Sequence, residues 1–187
     1  RQRQMCIRDS NELMTRYGRV DLLWLDGGWV RAPKEDIKMD QIIDKAREYQ
    51  PGLIAVDRTV PGRNENYQTP ELTVPKQQLD YPWESCITLT NHWGWWKDAP
   101  YKSAAQVINI LTEIVAKGGS LVLGVGPTPE GTIEEEGIRR LEEIGQWLKI
   151  NGEAIYNTRT TPVYQSENVW FTANKAVSYT HLRAHET

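Results

Sequence analysis

Apolar residues recur along this chain in two alternating rhythms. "VDLLWL" (20–25) is a continuous apolar run, the pattern of a short strand buried on both faces. "LIAV" (53–56), "SCITLT" (85–90) and "SLVLGV" (120–125) read the same way. Between them the period lengthens. "NELMTRYG" reads as a helix end stopped by Gly18, and "MDQIIDKAREYQ" (39–50) places Met39, Ile42, Ile43 and Ala46 on one helical face before Pro51-Gly52. "SAAQVINILTEIVAKGG" predicts a helix capped by Ser103 and ended by Gly118-Gly119, with Val107, Ile108, Leu111, Ile114 and Val115 as its stripe. Thr132 and Glu135 have the spacing of a capping box for a helix over 133–150, with Ile138, Leu141, Ile144 and Leu148 inward. "NVWFTA" (168–173) reads as a lone strand after the periodicity changes.

Strands alternating with helices predict an α/β fold with parallel strands. The 187 residues hold about four such strands, whereas a closed eight-stranded α/β barrel takes about 250 residues. The pattern therefore fits half a barrel or a small open sheet. "RQRQMCIRDS" (1–10) and "VSYTHLRAHET" (177–187) match no neighbouring rhythm and resemble translated sequencing-adapter tails on metagenomic fragments. They are set aside as non-native ends.

That exclusion changes the chemistry available. It removes four arginines and two acids, which takes the formal net charge from −3 to −5. A mildly acidic body argues against a nucleic-acid partner, which needs a basic face. It also leaves Cys86 as the sole cysteine and His92 as the sole histidine, so neither a disulfide framework nor a zinc site is expected. No apolar run reaches the roughly 18 residues that cross a membrane.

In parallel α/β folds, function gathers where the strands end. Asp26 follows the first strand and is itself followed by Gly27-Gly28, so it reads either as a carboxylate at the sheet mouth or as the aspartate of an Asp-Gly turn. Arg58 ends the next strand in the same way. The loop from about 58 to 82 exceeds the usual connection length and carries Glu65 and Glu71; a carboxylate there could swing over the sheet mouth. Glu84 precedes the third strand and is placed at the opposite edge. "NHWGWW" (91–96) puts Trp93, Trp95 and Trp96 after that strand, in a chain with eight tryptophans and a single phenylalanine; Trp24 and Trp29 flank Asp26. Indole faces stack on the C–H faces of sugars, and equally fill cores. "GGSLVLGVGPTPEGT" lacks the full dinucleotide fingerprint, and its glycines and prolines read as turn chemistry.

The blocks "DLLWLDGGW", "VDRTVPGRNENYQTPE", "PWESCITLTNHWGWW", "YKSAAQVINILTEIVAKGGSLVLGVGPTPEGTI" and "INGEAIYNTR" occur in the order found in α-L-fucosidases of glycoside hydrolase family 29, and the chain resembles that family over nearly all of 11–175. The resemblance implies the C-terminal portion of a (β/α)8-like barrel with the start of a β-sandwich segment. Residues 11–156 would be partial catalytic domain and 157–176 the beginning of the β domain. It further implies hydrolysis of α-L-fucosides on a fucosylated glycan, with retention and without metal or cofactor. Residue by residue, Asp26 matches the nucleophile, Trp24 an aromatic lining the fucose pocket, Arg58 an arginine near sugar and nucleophile, and Trp93 an aromatic at the fucose methyl side. Glu71 in "TPE" and Glu84 in "PWE" each match an acid/base position used by different relatives. Glu71 is preferred because Glu84 falls at the wrong strand edge. A reading of another class, a carbohydrate-binding module that uses a tryptophan-lined surface without turnover, rests on the tryptophans alone.

Overall fold

The computed structural model describes residues 2–27, 36–58, 62–174 and 180–183, which divide into two compact units, Arg1–Thr69 and Pro70–Thr187. The first unit runs α1 (Gln2–Arg16), β1 (Leu22–Leu25), α2 (Met39–Tyr49) and β2 (Ile54–Asp57). β1 and β2 pair in parallel, from Leu22 opposite Ile54 to Leu25 opposite Asp57, with α2 in the crossover that parallel strands require. Met39, Ile42, Ile43 and Ala46 are all buried, as their helical spacing predicts. Met39 and Ile43 pack on Ala55, flanked by Leu23 and Leu25, while Ala46 and Leu53 pack on Met14 of α1. α1 reaches back to Gln2 and so takes in most of the N-terminal segment 1–10 that was set aside as non-native. Gly18, at φ 84°, stops it, and the Gln50 side-chain amide donates to the carbonyls of Met14 (2.9 Å) and Gly18 (3.0 Å) at its open end.

Burial on both faces of β1 is not observed. Leu22 and Trp24 are 41% and 36% exposed, and Ile54 on β2 is 42% exposed, because the helices of this unit cover only the face that carries Leu23, Leu25 and Ala55. The polar segment after β2 is stitched down by a network that no local pattern signals. Arg47 donates to the Asn64 side chain (3.0 Å), the Asn64 carbonyl (3.1 Å) and the Asn66 side chain (2.7 Å). The Asn66 side-chain oxygen accepts from the Ala55 amide (2.8 Å) while the Asn66 backbone N–H donates to the Ala55 carbonyl (3.0 Å), so one asparagine satisfies the edge of β2 as a strand would.

The second unit contains a βαβ motif: β3 (Glu84–Thr88), α3 (Ala104–Ala116) and β4 (Ser120–Gly124), followed by α4 (Glu135–Asn151) and a 3-10 turn over Gly152–Ala154. β3 and β4 are parallel, from Glu84 opposite Ser120 to Thr88 opposite Gly124. Ser103 caps α3 in a complete capping box with Gln106. Trp83, Ile87 and Ile114 form one core cluster; Leu89, Val107 and Ile144 form another. The Thr132–Glu135 capping box does not form. Glu134 is the residue ahead of α4, and Thr132 instead meets the Thr128 hydroxyl at 3.0 Å in the preceding turn. Ile138 and Leu141, expected inward, are 43% and 37% exposed, since the face of α4 that meets the core carries Gly137, Ile144 and Leu148. "NVWFTA" is not a lone strand: β7 (Val169–Asn174) pairs antiparallel with β5 (Thr158–Arg159), β6 (Gln165–Ser166) and β8 (Thr180–Arg183), the last within the C-terminal segment set aside as non-native. Lys117, at the C-terminal cap of α3, is buried; its ammonium donates to the Pro75 carbonyl (2.8 Å), pairs with Glu113 and lies 5.4 Å from the Trp170 ring on β7.

Two glycines of this unit make opposite demands. A Cβ on Gly126 would lie 2.5 Å from the Trp95 nitrogen and 2.6 Å from the Gly94 carbonyl carbon, both backbone atoms that cannot yield cheaply. A Cβ on Gly145, inside α4, meets nothing within 4 Å. Gly126→Ala is expected to lower stability by about 1–3 kcal/mol through overpacking, whereas Gly145→Ala raises it by about 0.5–1 kcal/mol through helix propensity. Urea unfolding midpoints of the two variants should move in opposite directions, and a neutral Gly126→Ala would refute the close approach.

Candidate active site

The parallel register of β1 and β2 decides where the first candidate side chains emerge. Leu25 and Asp57 are the last paired residues, so Asp26 and Arg58 leave the sheet side by side at its C-terminal edge. The Arg58 amide extends the ladder with a bond to the Leu25 carbonyl at 3.3 Å. Above it the Arg58 guanidinium reaches the Asp26 carboxylate, Nη1 to Oδ1 3.3 Å, and lies 4.9 Å from the Trp24 ring. The arginine side chain is only 11% exposed while the aspartate is 58% exposed. An indole beneath and a carboxylate beside thus hold a largely buried cation, and the carboxylate keeps one side open to solvent. With Asp26 this exposed, the pair adds at most about 1 kcal/mol to stability; its consequence is orientation. Gly27 is buried at φ 146°, a backbone state that L side chains rarely adopt, so the turn after Asp26 requires glycine. Gly28 and Trp29 lie outside the described residues.

Glu71, Glu84 and Trp93 belong to the second unit. Glu84 is the first residue of β3, at the N-terminal edge as its position predicts. Glu71 is exposed, but its segment is not a swinging loop. The Leu72 amide donates to the Cys86 carbonyl (2.8 Å) and the Cys86 amide to the Pro70 carbonyl (3.1 Å), so 70–72 runs parallel to the middle of β3. Glu65 is half-buried, its amide bonded to the Gly62 carbonyl.

At the C-terminal edge of β3 the chain enters the tryptophan loop. Lys102 braces its start. The ammonium donates to the carbonyls of Thr88 (2.6 Å) and Thr90 (2.7 Å), and burial lowers its pKa from the ordinary lysine value. Trp95 is tucked in, with its indole N–H on a Glu134 carboxylate oxygen at 2.8 Å; the second oxygen accepts from the Tyr101 hydroxyl at 3.0 Å. Burial first, and then Glu134, raise the Tyr101 pKa, so the phenol stays a donor. Trp93 and Trp96 face outward, 48% and 61% exposed, and His92 stacks on Trp96 at 4.4 Å and 9°. His92 therefore packs rather than standing as a lone base. Neither Glu134 nor Lys102 was legible as part of this edge; the capping-box pattern drew attention to Thr132 and Glu135, two residues and one residue away from Glu134.

A cavity of about 570 Å³ lies at the other end of β4, between Leu111, Val115 and Gly118 on one side and Tyr156 and Arg159 on the other. It shares no residue with either strand-end cluster. Among the described residues no group of three or more His, Cys, Asp or Glu is arranged to hold a metal, and no helix is long and apolar enough to cross a membrane.

Residues 2–153 match the family model for alpha-L-fucosidase. Tissue alpha-L-fucosidase of Bos taurus is 31% identical over 185 residues, which covers 91% of this chain and 39% of that protein. Plasma alpha-L-fucosidase of Pongo abelii is 38% identical over 109 residues, covering 53% of this chain and 23% of that protein. Among solved structures, alpha-L-fucosidase isoenzyme 1 from Paenibacillus thiaminolyticus superposes with a TM-score of 0.83 at 28% identity, over 92% of this chain and 44% of that one. The enzyme from Vibrio sp. strain EJY3 gives 0.75 at 27%, over 91% and 31%. The chain thus spans well under half the length of the relatives it matches, while the family match takes in most of its own length, including both strand-end clusters. On that match the chain belongs to the alpha-L-fucosidase family.

Proposed function

We propose that this chain is the later part of a retaining α-L-fucosidase catalytic domain, with Asp26 as the nucleophile. The observation that carries the reading is the Asp26–Arg58 pair at one strand edge, with Trp24 against the arginine. A stacking surface alone has no use for a carboxylate whose neighbour is an ordered guanidinium, so this pair favours an enzyme over a binding module. In this mechanism the Asp26 carboxylate attacks the anomeric carbon, the leaving oxygen takes a proton from the acid/base, and the fucosyl–Asp26 ester forms. Water, deprotonated by the same acid/base, then breaks the ester with a second inversion. Retention of this kind needs the two carboxyl groups roughly 5–5.5 Å apart. Arg58 steadies the carboxylate and its orientation, Trp24 lines the sugar pocket, and Trp93 takes the apolar methyl side of fucose.

Glu71 serves as acid/base in this reading, with Glu84 as the alternative. Support comes from strand position: Glu84 starts β3, whereas Glu71 pairs opposite Cys86, further toward the C-terminal edge, and is exposed. The barrel reading draws support from one-sided coverage. Leu22, Trp24 and Ile54 on the first parallel pair and Val122 on the second are apolar yet exposed, as side chains of an inner wall are before the wall closes. Residues 11–156 then contribute barrel and 157–176 the first strands of the β domain. This reading assigns the remaining strands to the rest of the protein, while α1 and β8 take in parts of 1–10 and 177–187.

In the intact enzyme, Asp26→Ala should cut turnover of an aryl α-L-fucoside by at least about 10³-fold, with partial recovery in azide as the small anion fills the nucleophile's place. Undiminished activity in that variant would eliminate the enzyme reading and leave the binding module. Of the two glutamates, the true acid/base should lose far more activity on a poor leaving group than on an activated aryl one, by about 10²-fold; Glu71→Ala is expected to show this and Glu84→Ala is not. The 187-residue chain alone should show no turnover, and measurable fucoside hydrolysis by the purified chain would overturn the partial-barrel reading.

A further inference from the structure

We infer that Glu134 is a positioning residue for the sugar-facing tryptophan loop, and acts on substrate through Trp95 and Trp93 without touching it. The inference rests on the fucosidase reading for its substrate and on separate geometry for the rest. Glu134 stands at the N-cap position of α4 but makes no capping bond; its carboxylate is directed to the loop. One oxygen accepts the Trp95 indole N–H at 2.8 Å and the other the Tyr101 hydroxyl at 3.0 Å, partners 39 and 33 residues away in the chain. Both bonds are charge-assisted, and both donors are half-buried.

The bonds fix a short loop at its centre. Trp95 is anchored by Glu134, and the backbone of Gly94–Trp95 is seated against Gly126, too close for any side chain there. The Trp93 ring lies over Gly124, opposite the end of β3, where a Cβ would sit 3.7 Å from it in ordinary van der Waals contact. With Trp95 turned in, Trp93 and Trp96 on either side are turned out. An indole on a pinned loop loses little freedom when a sugar face settles on it, so the anchor works on binding. Removing the carboxylate leaves the Trp95 and Tyr101 donors half-buried without their acceptor, and the loop then samples arrangements in which Trp93 is misplaced.

The effect should therefore fall on KM. In the intact enzyme, Glu134→Ala is expected to raise KM for an aryl α-L-fucoside about tenfold while kcat stays within about twofold. Glu134→Gln keeps an acceptor for Trp95 and a polar partner for Tyr101, and should return KM to within about threefold of the parent value. In a Trp93→Ala background, Glu134→Ala should have almost no further effect on KM, because the two act as one unit. A structural readout runs alongside on the same intact enzyme. The Trp95 indole N–H proton resonance, assigned with Trp95→Phe, should move upfield in Glu134→Ala and much less in Glu134→Gln. An unmoved resonance, additive KM effects, or a loss confined to kcat would each overturn the inference. If Asp26→Ala remains fully active the fucosidase reading falls by itself, and the indole resonance still decides whether Glu134 holds the loop.

Discussion

The parallel register of β1 and β2 is the constraint on which the candidate site depends. Because Leu25 pairs with Asp57, the next residues of both strands emerge at one edge, and an acid and an arginine remote in sequence become neighbours at 3.3 Å. Nothing local would hold them so. The register is itself set by burial, since the side-chain period along a strand is two and a slip of one residue would turn Leu23 and Leu25 away from Met39 and Ile43. The apolar face of α2 thus acts on the chemistry of Asp26 through the pairing it enforces. Gly27 completes the arrangement, since its positive φ lets the chain turn away while the carboxylate stays at the rim.

The second unit reaches a comparable result by other means. Its strand-end loop is long and rich in indoles, and indoles do not order themselves. Order comes from Lys102 on the carbonyls at the loop's start, from Glu134 on Trp95, and from the bare backbone of Gly126 beneath. The "GVG" that a motif search would weigh as phosphate chemistry is explained by packing, because Gly126 is where two backbones meet. Gly119 is a similar case, with the Trp83 ring 2.5 Å from where its Cβ would be.

What could be read from the residues alone was local. The buried face of α2 and the Ser103 cap of α3 follow from spacing within a turn or two, and both are seen. The positions of Asp26, Arg58 and Glu84 at strand ends also followed, because an apolar run bounded by charge marks where a strand stops. The misses share a cause: each was decided by a partner far away in sequence. Ile138 and Leu141 lie on the apolar stripe of α4, but a stripe does not say which part of it a neighbour covers. Glu71 looked like part of a mobile loop because the backbone that holds it is that of Cys86, 15 residues on. Asn64 and Asn66 fall in the long polar segment after β2, and their role is visible only with Arg47 and the edge of β2 in place.

The same distinction bears on the exposed apolar residues. Leu22, Trp24 and Ile54 were read as buried because a continuous apolar run means burial on both faces, and in the first unit only one face is covered. The run and the structure agree if the second face is one that becomes covered. An open sheet that ends in solvent would carry polar residues there, alternating with the inward set. The first pair departs from that pattern, with Leu22, Trp24 and Ile54 exposed, while the second keeps closer to it, since Ser120 and Val122 are exposed on the outer face and Cys86 and Thr88 are buried there. Trp24 connects the bare face of the first pair to the site, because it is exposed there and also lies against the Arg58 guanidinium, so whatever covers the face would also shield the charge beside Asp26.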